Sequence, residues 1–192
     1  MDNPPIIVGI SGASGAILGV RVLQTLAKLE IPTHLIVTKS AALTLDYELD
    51  MSVADVKSLA SEYHSVGNIG ASIASGSFMT RGMIIAPCSM NSLSAIAHGI
   101  ADNLLTRAAD VVLKERRRLV LMVRETPFHL GHLKNMTAAT EMGAIVAPPV
   151  LGFYQRPKTI DDIVDHTVGR ALDLMGVDTK TVKRWQGSPD RP

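Results

Sequence analysis

Three short polar segments of this 192-residue chain each follow an apolar run: Ser11-Gly12-Ala13-Ser14-Gly15, Ser89-Met90-Asn91-Ser92 and Arg124-Glu125. The first follows Ile6 to Ile10 and precedes an apolar-periodic helix that opens at Ala16. A strand, a turn of small residues and a helix N-terminus together make an anion site. Main-chain N–H groups point outward there, the helix dipole favours negative charge, and small side chains let a phosphate approach. Gly9, Gly12 and Gly15 recur every third residue, so the turn is not G-x-G-x-x-G, and no Gly-Lys-Ser/Thr follows to make a Walker-type loop. The second strand, Thr33 to Thr38, ends in Thr38-Lys39-Ser40, without the acidic residue that holds the ribose 2′-hydroxyl of NAD. A mononucleotide such as FMN fits better than a dinucleotide. The alternative is a structural glycine turn that packs helix on sheet.

The second segment follows the apolar strand Met83 to Ala86 through Pro87-Cys88 and starts another helix. In an open parallel sheet, ligands bind outside the carboxyl ends of the strands, so both polar turns are expected to face one site. Ser89 is also a natural helix cap, a role compatible with ligand binding. Arg124 ends the fully apolar strand Leu119 to Val123, where a charge must face a ligand or a partner. The choice is between a contact to flavin or phosphate and an ordinary ion pair. Cys88 is expected to pack beside the turn rather than attack a substrate. The six histidines, His34, His64, His98, His129, His132 and His166, show no metal-ligand spacing. His129-x-x-His132 could share a helical face but lacks an evident third ligand, so no metal is expected.

The elements that must position these groups alternate between strand and helix. Ala16 to Leu29 carries Ile17, Val20, Leu23, Leu26 and Ala27 on one helical face, and Ile31-Pro32 ends it. Helices are also read over Ala41 to Tyr47, Val53 to Leu59 (capped by Ser52), Leu104 to Arg116, Asn135 to Met142 and from Thr159 through Met175. Ala144 to Ala147 is a fifth short strand. Tyr63 to Phe78, rich in glycine and serine, is expected to be a long irregular functional loop. The pattern predicts an α/β fold, a doubly wound, mainly parallel sheet of the Rossmann-like or flavodoxin-like kind. One domain over residues 1–192 is expected, with a polar tail from about residue 178.

Composition sets limits. A hydrophobic content of 46% against 19% charged residues belongs to a globular chain with a sizeable core. A net charge of +1 without a dense basic patch argues against nucleic acid. The single cysteine excludes an internal disulfide framework and suits a reducing compartment. No apolar run reaches about 18 residues and MDNPP lacks a basic leader, so a cytoplasmic protein without membrane attachment is expected.

Further motifs extend the pattern. Val8 to Gly15, Pro87-Cys88-Ser89, Arg107 to Arg117 (RAADVVLKERR), Val123 to Pro127 (VRETP), Gly152-Phe153-Tyr154 and Arg184 to Gly187 (RWQG) occur in this order. Each is weak alone. Their joint order and spacing resemble the UbiX/Pad1 family of flavin prenyltransferases along roughly Ile6 to Gly187, and the bacterial UbiX branch most of all.

The resemblance implies transfer of a dimethylallyl group from dimethylallyl monophosphate to reduced FMN, without a metal. A fourth ring forms between flavin N5 and C6, and the prenylated FMN serves UbiD-type decarboxylases. It also implies a homo-oligomer, typically a dodecamer, with sites built where subunits meet. Carried over by position, Gly12, Ala13 and Ser14 match the first FMN turn, and Thr38 stands where the family usually has serine. Ser89, Met90, Asn91 and Ser92 match the second turn, and Arg124 matches an arginine that touches flavin. Lys114, Tyr154 and Arg170 match groups that hold the prenyl phosphate, and Trp185 matches a tryptophan near the site. Ser14, Glu48, Lys114 and Glu125 are the implied catalytic set, of which Ser14, Glu48 and Glu125 handle protons and assist the leaving group. Such roles make chemical sense: charge develops on a departing phosphate, which cations and hydroxyls stabilise, and ring closure at C6 requires a base. Some family members carry a tryptophan in the glycine–serine loop, near where this chain has Ile69.

Three other functions compete. A flavin-dependent cysteine decarboxylase would carry Pro-Ala-Ser-Ala-Asn-Thr where this chain has Pro87 to Ser92 (PCSMNS), and a Met-Asn clamp that is not found here. The others are a direct aromatic-acid decarboxylase and a non-enzymatic FMN carrier, the latter needing no second anion site.

Overall fold

The computed structural model describes residues 3–182 and 184. Strand β1 (Ile6–Ile10) is buried at all five positions, as a central parallel strand covered on both faces must be. It joins β2 (Thr33–Val37), β3 (Glu62–Ser65), β4 (Gly82–Cys88), β5 (Arg118–Val123) and β6 (Ile145–Val146) in one sheet of order β3-β2-β1-β4-β5-β6. Every pairing is parallel. Of the two doubly wound arrangements expected, this is the Rossmann strand order, and the chain reverses its direction of winding between β1 and β4.

Alternation along β1 divides the core. Ile6, Val8 and Ile10 pack with α1 (Ala16–Lys28), α2 (Lys39–Leu49), α3 (Val53–Lys57) and α7 (Ile160–Leu174), through residues such as Leu23, Leu45, Val56 and Leu172. Ile7 faces the opposite layer, where α4 (Met90–Ala97), α5 (Leu104–Lys114) and α6 (Leu130–Glu141) contribute Leu93, Leu105 and Ala139. Each fully buried Ile or Leu contributes about 1.5–3 kcal/mol, so both helical layers are held firmly to the sheet. The rigid product is a row of strand ends at one edge, and the polar turns hang from it. Among the described residues, no helix is long and apolar enough to cross a membrane.

Two elements differ from the sequence reading. Residues expected to open an irregular loop instead form the edge strand β3, whose composition, EYHS, offers no apolar run. The rest of that segment is pinned: Ala71 and Ile73 are buried, Arg107 Nε donates to Ala74 O, and Arg117 donates to Gly76 O and Phe78 O. Helix α6 begins five residues before the expected Asn135, because the His129 ring caps it, with Nδ1 accepting from Gly131 N at 3.0 Å.

Candidate functional site

Ser11 sets the spacing of the first two polar turns. Its hydroxyl is buried, donates to Pro87 O at 2.8 Å and accepts from Ser89 N at 2.7 Å, and so ties the end of β1 to the end of β4. The third participant is α2, whose N-cap Thr38 accepts from Ala41 N and whose main chain is held by Thr38 N donating to Ile10 O. Gly12 lies directly against it: a Cβ at this position would come within 2.2 Å of Ser40 Cβ. No side chain fits between this turn and α2, which is why glycine stands there.

Between these ends opens a cavity of about 650 Å³, lined by Gly12, Thr38, Ser40, Gly67, Ser89 and Ser92 among others. It is bounded by the N-termini of α2 and α4, by serine and threonine hydroxyls and by apolar Leu105. Two helix N-termini and a ring of small polar groups suit a phosphate, and the volume suits the rest of a mononucleotide. The donor set therefore fits FMN. Cys88 lies buried at this junction, and burial pushes its thiol up to about 12, so it packs and does not act as a nucleophile.

The expected phosphate site at the start of α1 requires correction. Gly15, with φ at 100°, turns the chain into α1, and the N–H groups of Gly15 and Ala16 both donate to the Glu48 carboxylate, each at 2.9 Å at its closest. A side chain of the protein itself therefore fills the helix N-terminus that the sequence reading gave to the ligand. Burial pushes the Glu48 carboxyl up, but hydrogen bonds from the Ser14 hydroxyl and from Ala16 and Gly15, with the Arg124 charge nearby, outweigh it. The group stays below its ordinary value and is a carboxylate at neutral pH. Ser14, Glu48 and Arg124 thus form one charged corner beside the cavity. Arg124 reaches it from the end of β5, where its N–H donates to Cys88 O at 3.0 Å, and Glu125 follows, half-buried, accepting from Thr126 N.

The expected prenyl-phosphate groups are less concentrated. Tyr154 stands exposed in a short turn after β6, its ring edge-on to His166 of α7. Burial and the nearby Arg170 push His166 below its ordinary value, partly offset by Asp173. Arg170 lines a small apolar cavity with Met122, Pro148 and His166, and its guanidinium meets Asp173 at 2.6 Å, a carboxylate shared with Arg184. These residues belong to the β5–β6 side of the sheet. Lys114 does not join them: it is the last residue of α5, four residues before β5 begins, and so lies at the opposite end of the sheet, paired with Glu115. Within one protomer Lys114 is not part of the site, because a helix returning antiparallel to the strands must end at their starting edge. Trp185 lies outside the described residues.

Sequence reasoning missed the placement of Glu48. An exposed acid at the end of α2 gives no signal that it caps a helix 33 residues earlier in the chain.

Comparison with known proteins adds the relatives. Residues 1–172 match the family described as Flavoprotein. A flavin prenyltransferase UbiX of Thauera aromatica is 54% identical over 186 residues, spanning 97% of this chain and 96% of its own length. The structure of AnUbiX in complex with FMN and dimethylallyl pyrophosphate superposes with a TM-score of 0.95 at 46% identity, covering 97% of this chain and all of that one. A dodecameric FMN-dependent UbiX-like decarboxylase of Escherichia coli O157:H7 gives 0.93 at 48% identity, over 95% of this chain and all of that one.

Proposed function

We infer, from the premise that this chain belongs to the flavoprotein family and within it to the UbiX flavin prenyltransferases, that it transfers a dimethylallyl group to reduced FMN. The observation that carries this reading is the charged corner of Ser14, Glu48 and Arg124 beside a polar cavity of mononucleotide size. A flavin carrier would need the cavity alone. The cysteine-decarboxylase alternative is not favoured, since relatives matching nearly the full length are prenyltransferases.

In this reading the cavity residues Gly12, Thr38, Ser89, Asn91 and Ser92 hold the flavin, its phosphate received by the N-termini of α2 and α4. Ala13 and Met90 contribute main chain to the same two turns. Reduced FMN, when bound, supplies the nucleophilic N5 and C6 atoms. Arg124 fixes the ring end of the flavin toward the Glu48 corner. Glu48, already ionised, accepts from the Ser14 hydroxyl at rest, and Ser14 turns that single O–H to the departing phosphate oxygen when substrate is bound. Tyr154 and Arg170, with Trp185 from the tail and Lys114 from a neighbouring copy, hold the prenyl phosphate and stabilise charge as it leaves, without a metal. Glu125, half-buried and held by a single N–H, is the base for the proton lost at C6. In a closed dodecamer, the assembly named for the Escherichia coli relative, Lys114 of one copy would meet the strand ends of another. The chain is read as one cytoplasmic domain that uses dimethylallyl monophosphate and supplies prenylated FMN to a UbiD-type decarboxylase.

Anaerobic incubation with reduced FMN and dimethylallyl monophosphate, followed by mass spectrometry of the released flavin, tests it. A flavin heavier by one dimethylallyl unit is expected; unmodified flavin after full incubation refutes the reading.

A further inference from the structure

Away from the cavity, the parallel register of β2 and β3 places His34 opposite Glu62, and Ile36 opposite His64. Residues two apart on a strand share a face, so His34, Glu62 and His64 project from the same side of the sheet. Both histidines are more than nine-tenths buried, whereas the Glu62 side chain is about half exposed. His34 Nδ1 and His64 Nε2 lie 2.8 Å apart. The Glu62 carboxylate reaches both, with 3.5 Å to His34 Nε2 and 3.5 Å to His64 Nε2. One ligand atom from each of the three residues lies within 4.8 Å of the others.

We propose that His34, His64 and Glu62 form a binding site for a divalent cation of the zinc type, independent of the prenyl-transfer site. Two imidazoles and a carboxylate are the donor set that zinc accepts, leaving a fourth position for water on the exposed Glu62 side. Zinc bonds of about 2.0–2.1 Å at tetrahedral angles set ligand atoms about 3.3 Å apart. With His34 Nδ1, His64 Nε2 and one Glu62 oxygen as the three ligand atoms, the carboxylate already stands 3.5 Å from His64 Nε2, and the two ring nitrogens, 2.8 Å apart, need to part by about 0.5 Å. Each imidazole carries its N–H on the nitrogen that does not ligate, so both bind as neutral ligands. The spacing in sequence hides the site, since its members come from two strands and meet only through strand register.

The position gives the ion a structural task. The segment after β3 leaves the sheet one residue beyond His64, contributes Val66 and Gly67 to the cavity wall, and returns with Phe78 packed 5.2 Å from the His34 ring. An ion on His34 and His64 therefore fastens both ends of residues 66–78 to the sheet edge. Such a clamp also reinforces an edge strand of only four residues.

The test uses the full chain, stripped with a chelator and titrated with Zn2+ against a competing colorimetric chelator. One Zn2+ per chain at micromolar affinity or tighter is expected, with a rise in Tm, and Co2+ should give the visible bands of a four-coordinate site. Glu62→Gln, at an exposed position that does not threaten folding, should weaken binding at least tenfold, and His64→Asn should abolish it. His132→Asn, in the other histidine pair, should leave it unchanged. Absence of stoichiometric binding to the wild-type chain overturns the proposal, as does binding that survives both Glu62→Gln and His64→Asn.

Discussion

Replacing Glu48 by glutamine separates charge from shape at the start of α1. In the wild type the carboxylate accepts from Gly15 N and Ala16 N and carries a full negative charge at the positive end of a 13-residue helix. Both bonds reach the same oxygen, so glutamine keeps an acceptor for them and loses the charge. An acceptor at a helix start is worth about 0.5–2 kcal/mol, and the charge–dipole part about 0.3–1 kcal/mol. Glu48→Gln should therefore cost about 1 kcal/mol, and Glu48→Ala about 2 kcal/mol. For a chain of this size 1 kcal/mol is about 2–4 °C in Tm, measured at one fixed protein concentration because assembly contributes to stability. The pH dependence has a definite sign. The folded carboxyl titrates below its ordinary value of 4.5, so its stabilisation is complete above that value and is lost as pH falls through the folded one. The Tm gap between wild type and Glu48→Gln should be widest at neutral pH and close on the acid side. FMN affinity, read by fluorescence titration, should be nearly unchanged, because the carboxylate does not line the cavity. A gap that stays constant across pH, or no gap at all, would show that Glu48 does not act through its charge on α1.

The remaining expectations follow from other contacts. Lys114→Ala should keep FMN binding and lose about tenfold to a hundredfold in kcat/KM for the prenyl phosphate, the cost of one charge-assisted contact of about 1.5–3 kcal/mol. Glu125→Gln should likewise bind both ligands and form product slowly. If Lys114 serves a neighbouring copy, subunits of the two variants refolded together should recover part of the activity that each lacks alone; mixtures no more active than their components would argue against shared sites. Gly12→Ala places a methyl against Ser40 and should reduce FMN affinity sharply while circular dichroism stays native, and unaltered affinity in titration would count against the cavity as the flavin site. Ser11→Ala removes a buried hydroxyl with two partners, leaving Ser89 N without its acceptor; a loss of about 1–3 kcal/mol is expected in thermal unfolding, and a neutral effect would contradict the coupling of β1 to β4.

Much of the architecture was legible because its signals are local. Ile6 to Ile10 is an uninterrupted apolar run, the small-residue turn after it is unmistakable, and Thr159 with Asp162 spells a capping box that the structure contains. The failures share a different cause. Glu62 to Ser65 has no apolar pattern because an edge strand is held by main-chain bonds to β2, which any side chains permit. His129 caps α6 through a ring nitrogen, a role outside the usual Ser, Thr, Asp and Asn signal. Of the residues that line the cavity, Gly12, Ser89, Asn91 and Ser92 could be picked out from their place at strand ends and Thr38 only from the family resemblance, whereas the Glu48 contact spans 33 residues of sequence and leaves no trace in either segment. Lys114 could be named from its motif but not located, since a motif does not state which end of the sheet its helix reaches.

The stoppered start of α1 has a consequence for how a long ligand lies down. FMN is negative at one end and flat at the other, and a crevice with three equivalent helix starts would receive it in either direction. Here one start carries an anion of its own and repels a second, while those of α2 and α4 stay open to the cavity. On the proposed reading the phosphate would be steered to one end, which would leave the ring at the other, beside Arg124. An acidic side chain outside the cavity would in this reading act as a compass for the flavin.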